Sequence, residues 1–262
     1  QESGKLHYTD QLTKWFPDFP NRALAEKITV HHLMTHSSGI GEFWTPETEP
    51  EMRQCTIWQQ FLPLVYRAGI QFEPGTEAAY SNSNFLLLGV LVEKITGQDY
   101  FDVIAQRIYA KAGMQHSGSF PYDCAMKPLA MPLSRDGENG WKEASHGKRG
   151  SPTGGGYSNA RDILLFSRAL KSNAFVSAAS LKTITSNQTE GLKDSFGYGY
   201  GFITQKNGSE YSYGHGGIAR GVNFEFRYFP RLDITLVVFS NQDNGAFDDL
   251  RKNMTKLISG ER

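Results

Sequence analysis

A change of hydrophobic rhythm near Phe196 constrains the fold of this 262-residue chain more than any other feature. Ahead of it, apolar residues recur at helical spacing. Phe85, Leu88, Val92 and Ile95 define one helix face, which ends at Thr96-Gly97 with the glycine suited to a left-handed cap. Tyr100, Val103, Ile104 and Ile108 repeat the helical period at once. Thr29 can cap a helix through His32-Leu33-Met34 that stops at Ser37-Ser38-Gly39. Leu12, Trp15 and Phe16 make a short apolar face closed by Pro17, and Thr56 to Val65 reads as a helix broken near Pro63. Gly154-Gly155-Gly156 leads into a helix with Ile163, Phe166 and Leu170 inward, capped near Ser158. Beyond Phe196 the period is two: Phe196, Tyr198, Tyr200 and Phe202 alternate with glycines. Tyr211 and Tyr213 follow, then Val222, Phe224, Phe226 and Tyr228. Ile234 to Phe239 is a continuous apolar run that reads as a strand buried on both faces. Phe247, Leu250, Met254, Leu257 and Ile258 close the chain as an amphipathic helix. Asp136-Gly137 and Asn139-Gly140 mark turns in a mostly irregular stretch.

Helices first and strands later predict an α+β fold, an antiparallel sheet flanked by helices with a largely helical lobe. No internal repeat appears and no linker divides the chain. Residues 1–262 therefore read as one domain, with a helical lobe over roughly 40–150 and a sheet lobe over roughly 151–262.

Twenty-seven basic residues balance twenty-seven acidic ones, which argues against a nucleic-acid binder or a polybasic membrane protein. The longest apolar run, Phe85 to Val92, is too short to span a bilayer. Cys55 and Cys124 are too few for a disulfide scaffold, and one bridge or two thiols are both open. Glu2-Ser3-Gly4-Lys5-Leu6 reads either as a helix end with its helix upstream of Gln1 or as an ordinary N-terminus.

Two short segments carry chemistry. Tyr80-Ser81-Asn82 follows a turn-rich approach, Phe72-Glu73-Pro74-Gly75-Thr76, and precedes the Phe85 helix, so the Tyr80 phenol can project from a rigidly held loop. Cationic neighbours would favour its phenolate and let it relay a proton. Asn82 offers both an amide donor and a carbonyl acceptor to a substrate or a lysine; the plainer reading makes Asn82 a helix cap. Gly214-His215-Gly216-Gly217 strips a strand of side chains so that a substrate can lie on backbone. The Ile218 amide could then meet a developing oxyanion, and His215 could donate to a substrate carboxylate or tune Tyr80. The competing reading is a glycine-rich bulge with a surface histidine.

Together these segments resemble the serine β-lactamase-related family: class C β-lactamases, penicillin-binding D,D-peptidases, and their esterase and D-aminopeptidase relatives. Ile28-Thr29-Val30-His31-His32-Leu33-Met34-Thr35-His36-Ser37-Ser38-Gly39-Ile40 is similar to the family segment after its nucleophile helix. Pro74-Gly75, Leu88-Gly89, Thr96-Gly97, Gly154-Gly155-Gly156-Tyr157-Ser158 with Asp162, and Ser240-Asn241 continue the likeness over nearly the whole chain. The resemblance implies a proton-transfer role for Tyr80 and a substrate or lysine contact for Asn82. His215-Gly216-Gly217 would occupy the K-T-G position, with Ile218 N–H in the oxyanion hole. It also implies a five-stranded antiparallel sheet beside a helical lobe, a cleft between them, and no metal or organic cofactor. Lys111-Ala112-Gly113-Met114 departs from P-L-G-M, and histidine in place of lysine argues against a dedicated β-lactamase.

The family's nucleophile motif, S-x-x-K at the start of a buried helix, would lie upstream of Gln1. Ser145-His146-Gly147-Lys148 is the S-x-x-K string in the chain, but it follows Tyr80 in a loop with no apolar period to bury its lysine. His32 and His36 share helical spacing, yet Leu33 stands where a zinc motif needs glutamate, and no third ligand is evident. The leading expectation is thus a serine hydrolase acting through an acyl-enzyme on an ester, amide or lactam, with its serine outside this chain. The alternative is a non-catalytic relative that binds a peptide or protein. Without N-terminal strands the sheet would keep a bare edge, so self-association is expected. The resemblance implies a periplasmic or secreted location.

Overall fold

The computed structural model describes residues 1–119, 129–137, 140–144, 150–242 and 245–260. Among them, short helices α1 (Arg22–Ala25), α2 (Val30–Met34), α3 (Glu49–Met52) and α4 (Leu62–Ala68) lead into the long α5 (Asn82–Thr96). Thr29 caps α2, its hydroxyl accepting from His32 N–H while His32 Nδ1 accepts from Thr29 N–H. Histidine thus plays the part of the usual acidic residue of a capping box. Pro63 sits in the first turn of α4, directly after a 3₁₀ turn at Trp58–Phe61. The break near Pro63 is real, but the proline opens a helix there, where its missing N–H costs nothing. Gly97 ends α5 at φ 69°, as its sequence position predicts. Helices α6 (Tyr100–Ile104) and α7 (Ala110–Ala112) flank a π-helical turn at Ala105–Tyr109.

The helical core draws on Leu12, Phe16, Ile28, Leu33, Phe43, Trp58, Leu64, Leu87 and Leu91. The stretch read as irregular holds a small hairpin, β1 (Leu133–Arg135) paired antiparallel with β2 (Trp141–Glu143). Next come α8 (Ala160–Lys171) and α9 (Ala178–Thr185). Asn159 rather than Ser158 caps α8, its side chain accepting from Asp162 N–H at 2.8 Å.

Strands β3 (Ile203–Asn207), β4 (Glu210–Ala219), β5 (Val222–Phe229) and β6 (Ile234–Ser240) form an antiparallel sheet in sequence order. It has four strands among the described residues; the resemblance implies five, with N-terminal strands that the sequence reading expects to lie outside this chain. The Phe196–Phe202 alternation does not join the sheet. Gly197 and Gly201 take φ 72° and 84°, so the segment turns, although Tyr198 and Tyr200 are still buried. Residues 198–200 are all buried while Phe196 is 37% exposed, so a period of two here marks neither a ladder nor alternating burial.

Helix α8 covers one sheet face through Phe166 and Leu170 against Tyr213, Phe226 and Tyr228. The C-terminal helix α10 (Ala246–Ser259) covers the other through Phe247, Met254 and Ile258 against Leu236 and Val238. Both faces of β6 are covered at its middle. Its ends, Ile234 and Phe239, remain 38% and 43% exposed, and β6 is the edge of the described sheet. Leu250 and Leu257 face outward from α10, so its buried stripe is narrower than the sequence suggests. Cys55 Sγ donates to Glu51 O at 3.6 Å, while Cys124 and the Ser145–Lys148 string lie outside the described residues.

Candidate active site

Tyr80 precedes α5, whose N-cap is Ser81, with its hydroxyl accepting from Ser83 N–H. Asn82 is therefore the first helical residue, not the cap, and its side chain is held differently. Both its backbone N–H and its Nδ2 donate to Glu42 Oε2 at 2.9 Å. This anchors Nδ2 and leaves Oδ1 as the atom Asn82 can offer to a donor.

The Tyr80 ring lies 6.1 Å from the His215 ring, so the helical part and the sheet contribute to one place. Tyr80 as a whole is 47% exposed, but partial burial of its phenol, and after it the Glu42 carboxylate, push the hydroxyl above its ordinary value. The sequence made a phenolate conditional on cationic neighbours; among the described residues burial and Glu42 act the other way, and at neutral pH the Tyr80 phenol keeps its proton.

His215 is locked from both sides. Its Nδ1 lies 2.7 Å from Gly216 O, which can only accept, so Nδ1 carries the proton. Nε2 then accepts from Tyr198 O–H at 2.9 Å. Burial holds the imidazole below its ordinary value. A neutral ring with both nitrogens engaged inside the protein does not offer a charge or a donor to a substrate carboxylate, which leaves the tuning of Tyr80 of the two roles the sequence offered.

The three glycines differ in what they make room for. A Cβ on Gly214 would lie 1.9 Å from Phe226 O, and one on Gly216 would lie 2.7 Å from Glu225 Oε2. Both clashes are internal to the sheet. Gly217 has no heavy atom within 4 Å of a built Cβ, and alternation puts it on the His215 face. Of the three, Gly217 alone leaves open space beside the site.

The direction of the Ile218 amide follows from the ladder. Thr204 N–H donates at 2.8 Å to Gly197 O, away from β4, so the peptide groups of Ile203 turn toward β4. Ile203 pairs with Gly214. By alternation the amides of Gly214, Gly216 and Ile218 point the same way, and β3 begins at Ile203. The Gly216 and Ile218 amides thus face past the end of the paired stretch, on the side where Gly216 O meets His215.

Three residues of this cluster were not assigned to a site from sequence. Glu42 holds Asn82. Tyr198, 1% exposed, bonds His215 and lies in a segment that reads as sheet packing. His36, set aside as half of a metal pair, is fully buried with its ring 4.2 Å from that of Tyr80 and 4.7 Å from that of Tyr198. Any signal lay in Thr35-His36-Ser37-Ser38, the polar run that ends α2 and that the fold buries completely. Among the described residues no three His, Cys, Asp or Glu side chains converge as a metal site. Nor is any helix among them long and apolar enough to cross a membrane.

Comparison with known proteins defines the class. The Beta-lactamase family model matches residues 1–260, and the chain belongs to that family. Penicillin-binding protein 4* of Bacillus subtilis is 25% identical over 227 residues, covering 79% of this chain and 49% of its own. A D-aminopeptidase of Brucella anthropi is 24% identical over 227 residues, covering 84% of this chain and 43% of its own. The chain therefore spans about half the length of these curated relatives. The crystal structure of a penicillin binding protein from Bacillus halodurans superposes with a TM-score of 0.86 at 28% identity, covering 97% of this chain and 79% of that one.

Proposed function

We propose that the protein is a serine hydrolase that works through an acyl-enzyme on an ester, amide or lactam, its nucleophilic serine and partner lysine lying outside these 262 residues. The observation that carries this reading is the approach of the Tyr80 phenol and the glycine-flanked His215 to 6.1 Å across the junction of helices and sheet. Family membership and the relatives' names support the reaction class.

In acylation, the serine Oγ–acyl bond forms as the bond to the leaving group breaks. The serine's proton passes to the lysine, and Tyr80, protonated at neutral pH, gives its proton to the leaving group and recovers one from the lysine. The amide of Ile218, with that of the serine itself, holds the oxyanion. Asn82 Oδ1, fixed by Glu42, accepts from a substrate amide or from the lysine. Gly217 gives the substrate room against the strand. The engaged nitrogens of His215 support an ester or amide lacking a carboxylate in preference to a β-lactam.

We also propose a periplasmic or secreted location, by analogy with the relatives, and self-association through the edge of β6. The experiment is intact mass of the natural gene product after incubation with an activated ester or a β-lactam. An added acyl mass that vanishes on substituting the upstream serine supports the reading. A protein that never gains acyl mass and yet binds peptide would make it a binding relative.

A further inference from the structure

His36 carries two local penalties at once. Its backbone is left-handed, φ 57°, a conformation uncommon outside glycine, although histidine and asparagine enter it more readily than most residues. Its Nε2 is buried with no hydrogen-bond partner among the described residues, and such atoms in folded proteins call for a reason. Nothing about filling the core needs a histidine there, because an apolar ring would pack without an orphaned N–H. Strain and an unpartnered polar group on one buried residue point to a role in the neighbouring site.

The contacts identify that role. His36 O accepts from Ala79 N–H at 2.9 Å, and His36 Nδ1 accepts from Ser81 N–H at 3.1 Å. These two bonds grip the backbone on either side of Tyr80. The imidazole then lies against the phenol ring, tilted by 33° with centroids 4.2 Å apart. Because Nδ1 accepts, the neutral ring carries its proton on Nε2, and Asn84 Nδ2 approaches Nδ1 at 3.3 Å to hold the same orientation. Ser38 Oγ in turn donates to Asn84 Oδ1 at 2.5 Å, tying the support to the loop that bears His36. The far side of the ring meets Phe85 at 5.1 Å and Tyr198 at 4.7 Å, so the imidazole cannot swing away.

We propose that His36 is the positioning residue for Tyr80, gripping residues 79 and 81 and backing the phenol so that it faces His215. This rests on the acyl-transfer reading for its kinetic consequence, but the geometric claim stands apart from it. The left-handed backbone is needed because it turns the His36 carbonyl and ring toward the same short segment.

The test is a double-substitution cycle in the natural gene product, with H36A, Y80F and the pair. If His36 acts through Tyr80, H36A lowers kcat by about 100-fold, the scale of a lost proton-transfer group, and adds little once Tyr80 is phenylalanine. H36N should stay within about tenfold of the parent, because asparagine tolerates the left-handed backbone and its Oδ1 can accept from Ser81 N–H. Should H36A not fold, H36F serves, since it keeps a ring and loses the acceptor. A second readout needs no turnover: the ultraviolet titration of Tyr80, isolated by subtracting Y80F. Tyr80 is 47% exposed in the parent, so in H36A the phenol should titrate at lower pH only as far as water also reaches the ring face that His36 covers. H36N, which keeps the acceptor but loses the ring, should shift less than H36A. Losses that add fully in the cycle, or a Tyr80 titration unmoved in H36A, would overturn the proposal. If the parent shows no acyl transfer while the titration shifts as described, the reaction class fails and the positioning role holds.

Discussion

Substituting alanine in turn at Gly214 and Gly217 separates glycines that let the sheet close from a glycine that leaves room for a ligand. At Gly214 the new methyl would lie 1.9 Å from Phe226 O and 2.8 Å from both Phe226 C and Arg227 Cα, against ordinary contacts of 3.4–4 Å. Every obstacle is backbone, so relief requires β4 and β5 to part by more than about 1 Å from a spacing of about 4.8 Å. Overpacking costs about 1–3 kcal/mol where side chains can adjust, and occasionally more. With only backbone to move, we expect about 3 kcal/mol for G214A. In a chain of this size that lowers Tm by roughly 6–12 °C. G217A meets nothing within 4 Å, so its Tm should stay within about 1 °C of the parent, as for an unobstructed surface change. Its methyl would nevertheless stand beside His215, and ester hydrolysis should fall by about tenfold or more, the effect of a small misplacement of substrate. Circular-dichroism melts and steady-state hydrolysis, run on the same preparations, give both readouts. The reasoning is refuted if G214A melts with the parent, or if G217A loses stability while keeping its activity.

Three further outcomes follow from the geometry. Arg227 and Glu225, 3% and 6% exposed, pair at 2.8 Å beneath the sheet, so E225L should cost about 3–5 kcal/mol by stranding the guanidinium, with much of it restored in E225L/R227M; chemical denaturation measures both. Burial, with His215 beside it, holds His36 at about 3 against an ordinary 6.5. The unfolded chain therefore binds a proton that the folded one refuses, and stability present above 6.5 is lost as the pH falls toward 3. At pH 5 the loss from His36 is about 2 kcal/mol, and H36N should show a correspondingly flatter acid limb in melts followed from pH 7 to 5. For β6, sedimentation of the 262-residue chain should reveal species larger than a monomer, reduced by F239K, since a lysine on an open edge discourages strand pairing; a monodisperse monomer before substitution would count against the edge contact.

Much of this protein was legible in one dimension. Helical spacing in Phe85–Ile95 and the glycine after Thr96 define α5, because a 3.6-residue period and a left-handed cap are local properties of the chain. Alternation in Val222–Tyr228 defines β5 in the same way. Tyr80 and His215 could be singled out because each sits in an unusual local string. Their neighbours could not. Nothing near Glu42 announces that it holds Asn82, forty residues on, and nothing in the glycine-tyrosine alternation reveals that Tyr198 bonds His215 instead of entering a strand. The ionisation of Tyr80 was left open for the same reason: charge state depends on burial and on groups brought close from elsewhere, and here these are the phenol's partial burial and the Glu42 carboxylate. Local rules determined which segments are helix or strand and which residue types could do acyl-transfer chemistry. Only the tertiary structure decided which glycine has open space beside it, which way the Ile218 amide faces, and that His36 is a support for Tyr80, because each of these is a distance between parts of the chain that the backbone alone does not join.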